Sequence, residues 1–281
     1  MKSSYFEITI PFNNDNYDNI QNALYLTGIE NILEENGILK IYIEEKDEHL
    51  IEKVKLTLNE TADVTEVKIE KLENKNWNDE WEKSIAPVYI KDKMVIHTSW
   101  NKSEIENAEG KILIEIDPKM SFGTGHNETT QLVLELLCDY IDKYDKTMLD
   151  YGTGTAVLSI AAVKLGVKEI LAIDIDVDSI ENAKEYIQLN NVNEYIKLDN
   201  CNISFVPQTE FDVIAANIIR SVIVTNLGHI HSKLKSGGKL FISGVLADEE
   251  KKLLDELNKY DFEIIDVKKK AEWLGLYARK K

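Results

Sequence analysis

The 281 residues hold 33 Lys+Arg against 50 Asp+Glu, a formal net charge of −17, with 43% hydrophobic and 30% charged residues. That composition suits a chain that buries a real core, and it excludes a disordered or collagen-like one. Only two Arg (Arg220, Arg279) occur and no Lys cluster interleaves with aromatics, so direct nucleic-acid contact is not expected.

Residues 1–72 read as β-α-β-β-α-β. FEITIPF alternates apolar and polar residues, and NYDNIQNALYLTG follows as a helix that Gly28 closes. IENILEEN and ILKIYIEE are extended runs around the hairpin signal Asn36-Gly37; HLIEKVKLTLNE has helical spacing and VTEVKIEKL alternates again. This order predicts a ferredoxin-like α+β sandwich. It carries no catalytic motif and 12 acidic against 5 basic residues over positions 1–60, which suits partner recognition.

Residues 73–111 are expected to connect. ENKNWNDEWEKSIAPVYI puts Trp77 and Trp81 on one helical face before Pro87, and VYIKDKMVIHTSW and KILIEID read as short strands. From residue 112, apolar runs (TMLDYG, EILAIDID, EYIKLDN, FDVIAANI, KLFISG) alternate with helical patterns. FEIIDVKKK and WLGLYARKK close the chain as a hairpin whose lysines lie at strand edges. The expectation is a doubly wound α/β sheet with an antiparallel C-terminal edge.

Four segments carry chemistry. In MLDYGTGTAVLSIAA a strand runs into Gly152-Thr-Gly154 and a helix, where glycines and free helix N–H groups favour an adenosine-bearing ligand. Val157 stands where a dinucleotide fingerprint needs its third glycine, which disfavours NAD. Asp174 ends AIDID, 22 residues after Gly152, and is placed to accept from ribose hydroxyls, while Asp199 or Asn200 of the next strand is placed to reach an adenine edge. Asn217 ends FDVIAAN, where it would hold an amino group through its side-chain oxygen or else serve as an Asx turn or helix N-cap.

The loop Phe122-Gly123-Thr124-Gly125 leads to Thr129 and Thr130 at the head of an amphipathic helix but lacks the Lys of a phosphate loop. His97 and His126 are single histidines without metal-ligand spacing, so no metal is expected. Cys138 and Cys201 are too few for a disulfide framework, and Cys201 lacks a paired base.

DPKMSFGTGHNETT, LDYGTGTAVLSIAAVKLG, AIDID and ANI together resemble the S-adenosylmethionine-dependent methyltransferases of ribosomal protein L-eleven, as do the WNDEWEKSIAPV linker and the small N-terminal sandwich. The resemblance covers essentially the whole chain. It implies a Rossmann-like class I methyltransferase domain at 112–281, a recognition domain at 1–72 for the ribosomal protein, and S-adenosylmethionine contacts at Thr130, Gly152, Asp174 and Asn217. Further contacts fall on Phe122, Gly123, Thr124, Gly154 and Asp199. The expected reaction is methyl transfer to lysine side chains or the N-terminal amine of that protein. His126-Asn127-Glu128 replaces the family's usual Thr-His-Pro, and GTGTA stands for the usual G-C-G-S-G.

Besides methyl transfer to another protein or a small-molecule amine, three alternatives compete with this reading. A glutamine or adenine methyltransferase usually reads Asn-Pro-Pro-aromatic, whereas Asn217 is followed by Ile218, Ile219 and Arg220. An NAD oxidoreductase lacks its glycine, and a non-catalytic scaffold would not need all four cofactor positions. No general base stands out; Asn217 as amine orienter is the one catalytic assignment. With no apolar run of about 20 residues and no apolar stretch of the signal-peptide kind at the start, a reduced cytoplasm is the expected setting. A monomer is the favoured state.

Overall fold

A computed structural model describes residues 4–13, 16–27, 29, 32–35, 37–62, 64, 67–73, 85–117 and 123–281. Gly28, Asn36, Trp77, Trp81 and Phe122 lie outside the described residues. The chain forms two compact units, Met1–Ser84 and Ile85–Lys281.

In the first unit, strands β1 (Ser4–Pro11), β2 (Leu33–Glu35), β3 (Ile38–Glu44) and β4 (Lys68–Glu73) form one sheet in the order β2-β3-β1-β4. The paired strands β2–β3, β3–β1 and β1–β4 all run antiparallel. Helices α1 (Tyr17–Thr27) and α2 (His49–Ala62) join them in the ferredoxin-like order expected. The alternation in FEITIPF and ILKIYIEE sends Phe6, Ile8, Ile10, Leu39, Ile41 and Ile43 to one face, where they pack with Ile20, Leu24, Val54 and Leu58 of the helices. Of the run IENILEEN, Leu33–Glu35 are the described residues that pair with β3.

The second unit begins with a three-stranded sheet, β5 (Val88–Ile90), β6 (Met94–His97) and β7 (Ile112–Glu115), in sequence order. Its seven-stranded sheet contains β8 (Thr147–Tyr151), β9 (Glu169–Asp174), β10 (Ile196–Asn200), β11 (Phe211–Asn217), β12 (Leu234–Leu246), β13 (Phe262–Lys270) and β14 (Trp273–Lys280). The order is β10-β9-β8-β11-β12-β14-β13. Strands β8 to β12 are parallel and β14 is antiparallel to both neighbours.

Helices α3 (Glu128–Tyr140), α4 (Val157–Leu165), α5 (Val177–Leu189), α6 (Arg220–Thr225), α7 (Leu227–Lys233) and α8 (Glu250–Lys259) complete the unit. The buried residues of the two faces form two separate apolar clusters. The helical pattern SVIVTNLGHIHSKLKSG is two short helices rather than one, because Asn226, at φ −105° and ψ 10°, breaks it.

The topology departs from chain order at the C-terminus. The hairpin inserts its second strand beside β12 and leaves its first at the edge. Leu274 to Ala278 are all buried, whereas β13 alternates buried, partly exposed and exposed residues. A strand apolar on both faces is stable only inside a sheet. The hairpin lysines are paired rather than free: Lys268 with Asp139 at 2.6 Å, Lys269 with Glu250 at 2.5 Å, and Lys270 with the Gln131 side chain at 2.5 Å.

Candidate functional site

Strand order reverses between β8 and β11, and a cleft of about 820 Å³ opens at the carboxyl ends of these strands. Open parallel sheets bind their ligands at such a reversal. The cleft is lined by the β8 turn (Gly152, Thr153, Gly154), by Asp174 of β9, by Thr129 and Thr130 of α3, and by Asn217 and Ile218 after β11.

The β8 turn is shaped by hydrogen bonds. Gly152 and Thr153 both donate backbone N–H to the Ile173 carbonyl, at 2.9 and 3.0 Å, and Ala156 donates to the Thr153 carbonyl at 2.8 Å. Gly152 takes φ +78°, and a Cβ there would lie 2.4 Å from Ile218 Cγ2, so no larger residue fits without displacing Ile218. Thr155 Oγ1 donates to the Gly123 carbonyl at 2.7 Å, which ties the two glycine loops together. Beneath the turn, Asp150 Oδ2 accepts from Thr153 Oγ1 at 2.8 Å and Ser159 Oγ at 2.6 Å. Burial pushes its carboxyl up to about 6, against the pull of those two hydroxyls.

Asp174 is locked to the same turn. Its Oδ2 accepts from Gly154 N at 3.0 Å and its Oδ1 from Asp176 N at 3.1 Å. Each oxygen keeps a second lone pair, so the carboxylate still has acceptor capacity for hydroxyls in the cleft. Across the cleft, Asn217 Nδ2 donates to Thr130 Oγ1 at 3.2 Å, joining residues 87 apart in sequence. The helix-cap alternative for Asn217 is not met, since α6 begins at Arg220 with Ile219 in the cap position.

Thr130, Gly152, Asp174 and Asn217 therefore line one cleft, together with Gly123 and Gly154. Thr124 and Asp199 are not among its lining residues; Asp199 is exposed on β10, and the Asn200 amide donates to the Asp174 carbonyl at 2.9 Å. Asn202, two residues further on, does reach the cleft, as do Thr129, Tyr151, Gly244 and Trp273. Apart from Thr129, which follows the glycine loop, sequence motifs do not single these out as site residues. A hydroxyl on an apolar strand just before Gly152, and a glycine within the strand run FISGV, are the signals that mark Tyr151 and Gly244.

Among the described residues, four buried side-chain atoms have no hydrogen-bond partner: Thr129 Oγ1, Asp150 Oδ1, Tyr151 OH and Asn217 Oδ1. Three of the four residues line this cleft. An unpaired buried polar atom costs roughly 1–3 kcal/mol, so a cleft that gathers three is suited to a ligand bearing several polar groups. Val157, Leu158, Ile175, Ile218 and Ile219 add apolar wall, and Glu128, Asp176, Ser179, Ser221 and Asn226 add further polar groups. A nucleoside with a charged amino-acid tail fits that donor set and those walls.

Comparison with known proteins agrees. A family model described as ribosomal protein L11 methyltransferase (PrmA) matches residues 7–281. A ribosomal protein L11 methyltransferase of Clostridium perfringens is 33% identical over 262 residues, covering 89% of this chain and 82% of the relative. One from Dictyoglomus turgidum is 33% identical over 234 residues, covering 83% and 76%. The crystal structure of a ribosomal protein L11 methylase from Lactobacillus delbrueckii subsp. bulgaricus superposes with a TM-score of 0.64 at 28% identity, covering 70% of this chain and all of that one.

Proposed function

The chain belongs to the ribosomal protein L11 methyltransferase family, and from that premise we propose that it methylates amino groups of ribosomal protein L11, lysine side chains or the N-terminal amine, with Asn217 orienting the acceptor nitrogen. The observation that carries this reading is the buried, unpartnered Oδ1 of Asn217 at the carboxyl end of β11.

S-adenosylmethionine, the cofactor of this activity, supplies when bound a methyl group on a sulfonium, transferred by in-line displacement. Asp174 and the Gly152–Gly154 turn would hold the nucleoside, with Thr130 and Asn217 on the opposite wall. The chain's remaining work is positioning and water exclusion. An ammonium must shed a proton to solvent before it attacks, from a reference pKa of about 10.4 for Lys. The apolar walls at Ile218 and Ile219 disfavour the charged form, and the Asn217 oxygen accepts an N–H from the neutral amine and fixes its lone pair. The acidic first unit suits a basic protein substrate, and residues 1–72 are assigned to its recognition and residues 112–281 to the transfer, with 73–111 connecting them.

The test is transfer of labelled methyl from S-adenosylmethionine to purified ribosomal protein L11, read by mass spectrometry. Asn217→Ala is expected to lower the single-turnover rate by at least about tenfold, as loss of an orienting hydrogen bond does, with little change in thermal unfolding. A variant that melts early yet transfers at the normal rate below its melting point would make Asn217 structural.

A further inference from the structure

Gly244 interrupts an apolar strand at the level where β11 ends. There β12 bulges against β14: Ile242 pairs with Leu276 and Val245 with Leu274, so the step of three residues on β12 matches two on β14. Gly244 lies in the bulge at φ +79°, and Ser243 Oγ donates to the Leu274 carbonyl at 2.7 Å. In the parallel ladder on the other side, Ser243 is the partner of Asn217. The space a side chain would fill at Gly244 is taken by Ile218: a Cβ would lie 2.4 Å from the Ile218 carbonyl oxygen, 2.7 Å from its carbonyl carbon and 3.0 Å from its nitrogen. On the facing side, a Cβ at Gly152 would meet Ile218 Cγ2 at 2.4 Å. Ile218 is thus clasped, its backbone against Gly244 and its side chain against Gly152. Both approaches require glycine. Bulges beside active sites serve to re-aim a side chain.

We propose that Gly244 is a positioning residue for methyl transfer: by letting β12 touch the Ile218 backbone, it fixes the peptide after Asn217 and so the direction in which Asn217 Oδ1 meets the acceptor amine. This rests on the reading of Asn217 as amine orienter. The Asn217 side chain is tethered by a single 3.2 Å bond from Nδ2, and its Oδ1 has no protein partner, so the aim of that oxygen depends on the backbone behind it. The group a residue at 244 would strike is backbone and cannot swing aside. A misplacement of about 1 Å at such a site costs on the order of a hundredfold in rate.

The experiment compares Gly244→Ala with Gly237→Ala in the full chain. Gly237 lies on the same strand at φ +75°, and a Cβ there would have nothing within 4 Å, so its variant carries the backbone strain without the contact. With ribosomal protein L11 as substrate, Gly244→Ala is expected to lower the single-turnover rate at least about tenfold. Its affinity for S-adenosylhomocysteine by calorimetry should stay within about threefold, less than 1 kcal/mol. Gly237→Ala should transfer at the wild-type rate. Adding Gly244→Ala to Asn217→Ala should cause no further loss, because both act through one oxygen. Should Gly244→Ala fail to fold, Ser243→Ala, which removes the bond pinning the bulge to the Leu274 carbonyl and keeps Gly244 and Ile218, is expected to show the rate loss. A wild-type rate in the folded Gly244 variant or in Ser243→Ala, an equal fall in Gly237→Ala, or full additivity with Asn217→Ala overturns the proposal. A wild-type rate in Asn217→Ala overturns the amine-orienting reading itself.

Discussion

Asp150 shows how a single residue shapes the cleft at a cost to stability. It is fully buried on β8, and its Oδ2 holds Thr153 and Ser159, so the turn that follows keeps its form. Its folded-state pKa of about 6 lies above the unfolded value of about 3.9. The native state therefore binds more protons than the unfolded state between these values, and stability falls as pH rises from about 4 to about 6. A difference of about two units corresponds to about 3 kcal/mol, fully lost above that window. Asp150→Asn keeps the shape and one acceptor oxygen, and is expected to flatten this part of the profile. Thermal unfolding from pH 4 to 8 checks it: wild-type and variant curves should converge at the acid end and separate through the window, and parallel curves would contradict the assignment.

At the scale of elements, strand β12 is tied to its surroundings by buried charge as well as by ladder bonds. Lys239 on β12 reaches across to the end of α3 and the loop before β8. Its ammonium donates to the Tyr140 carbonyl at 2.7 Å and pairs with Asp145 at 2.7 Å and Asp142 at 2.9 Å. The Lys239 and Asp145 side chains are only 12% and 5% exposed. Burial would lower the Lys239 pKa, but its hydrogen bonds to the two carboxylates outweigh that and raise the value. Removing the lysine leaves Asp145 charged in a dry site, which typically costs about 3–5 kcal/mol. Lys239→Met is expected to lose that much in urea unfolding, and Lys239→Met with Asp145→Asn to recover most of it. A double-variant cycle with no coupling would show that the pair contributes nothing.

At the scale of the whole molecule, the proposed reading gives recognition to the first unit and chemistry to the second. Among the described residues, every one lining the cleft falls between Gly123 and Trp273, inside the unit Ile85–Lys281. The sandwich brings an acidic composition and a complete core of its own. Removing residues 1–84 is therefore expected to leave S-adenosylhomocysteine affinity within about threefold, a change below about 1 kcal/mol, while methylation of folded ribosomal protein L11 is lost. Calorimetry and labelled transfer on the truncated chain measure both. Full-rate methylation by the truncated chain would remove the recognition role from residues 1–72.

The sequence by itself determined the element order, the two βα-type patterns and the positions of Gly152, Asp174 and Asn217. Each is a local matter: apolar periodicity selects strand or helix, and a strand end beside a glycine turn is visible in a few adjacent residues. It marked WLGLYARKK as a strand but not as an interior one, although its apolar run from Leu274 to Ala278, interrupted only by Gly275, has the form of a strand buried on both faces. Only the tertiary structure decided that β14 enters between β12 and β13, that Asn202 rather than Asp199 reaches the cleft, and that Asn217 meets Thr130 across 87 residues. It also brought Gly244 against Ile218. Close approach between two backbones leaves no mark on either segment alone; a glycine in a strand says only that something comes near, and the partner, Ile218, is set by how parallel strands align side by side.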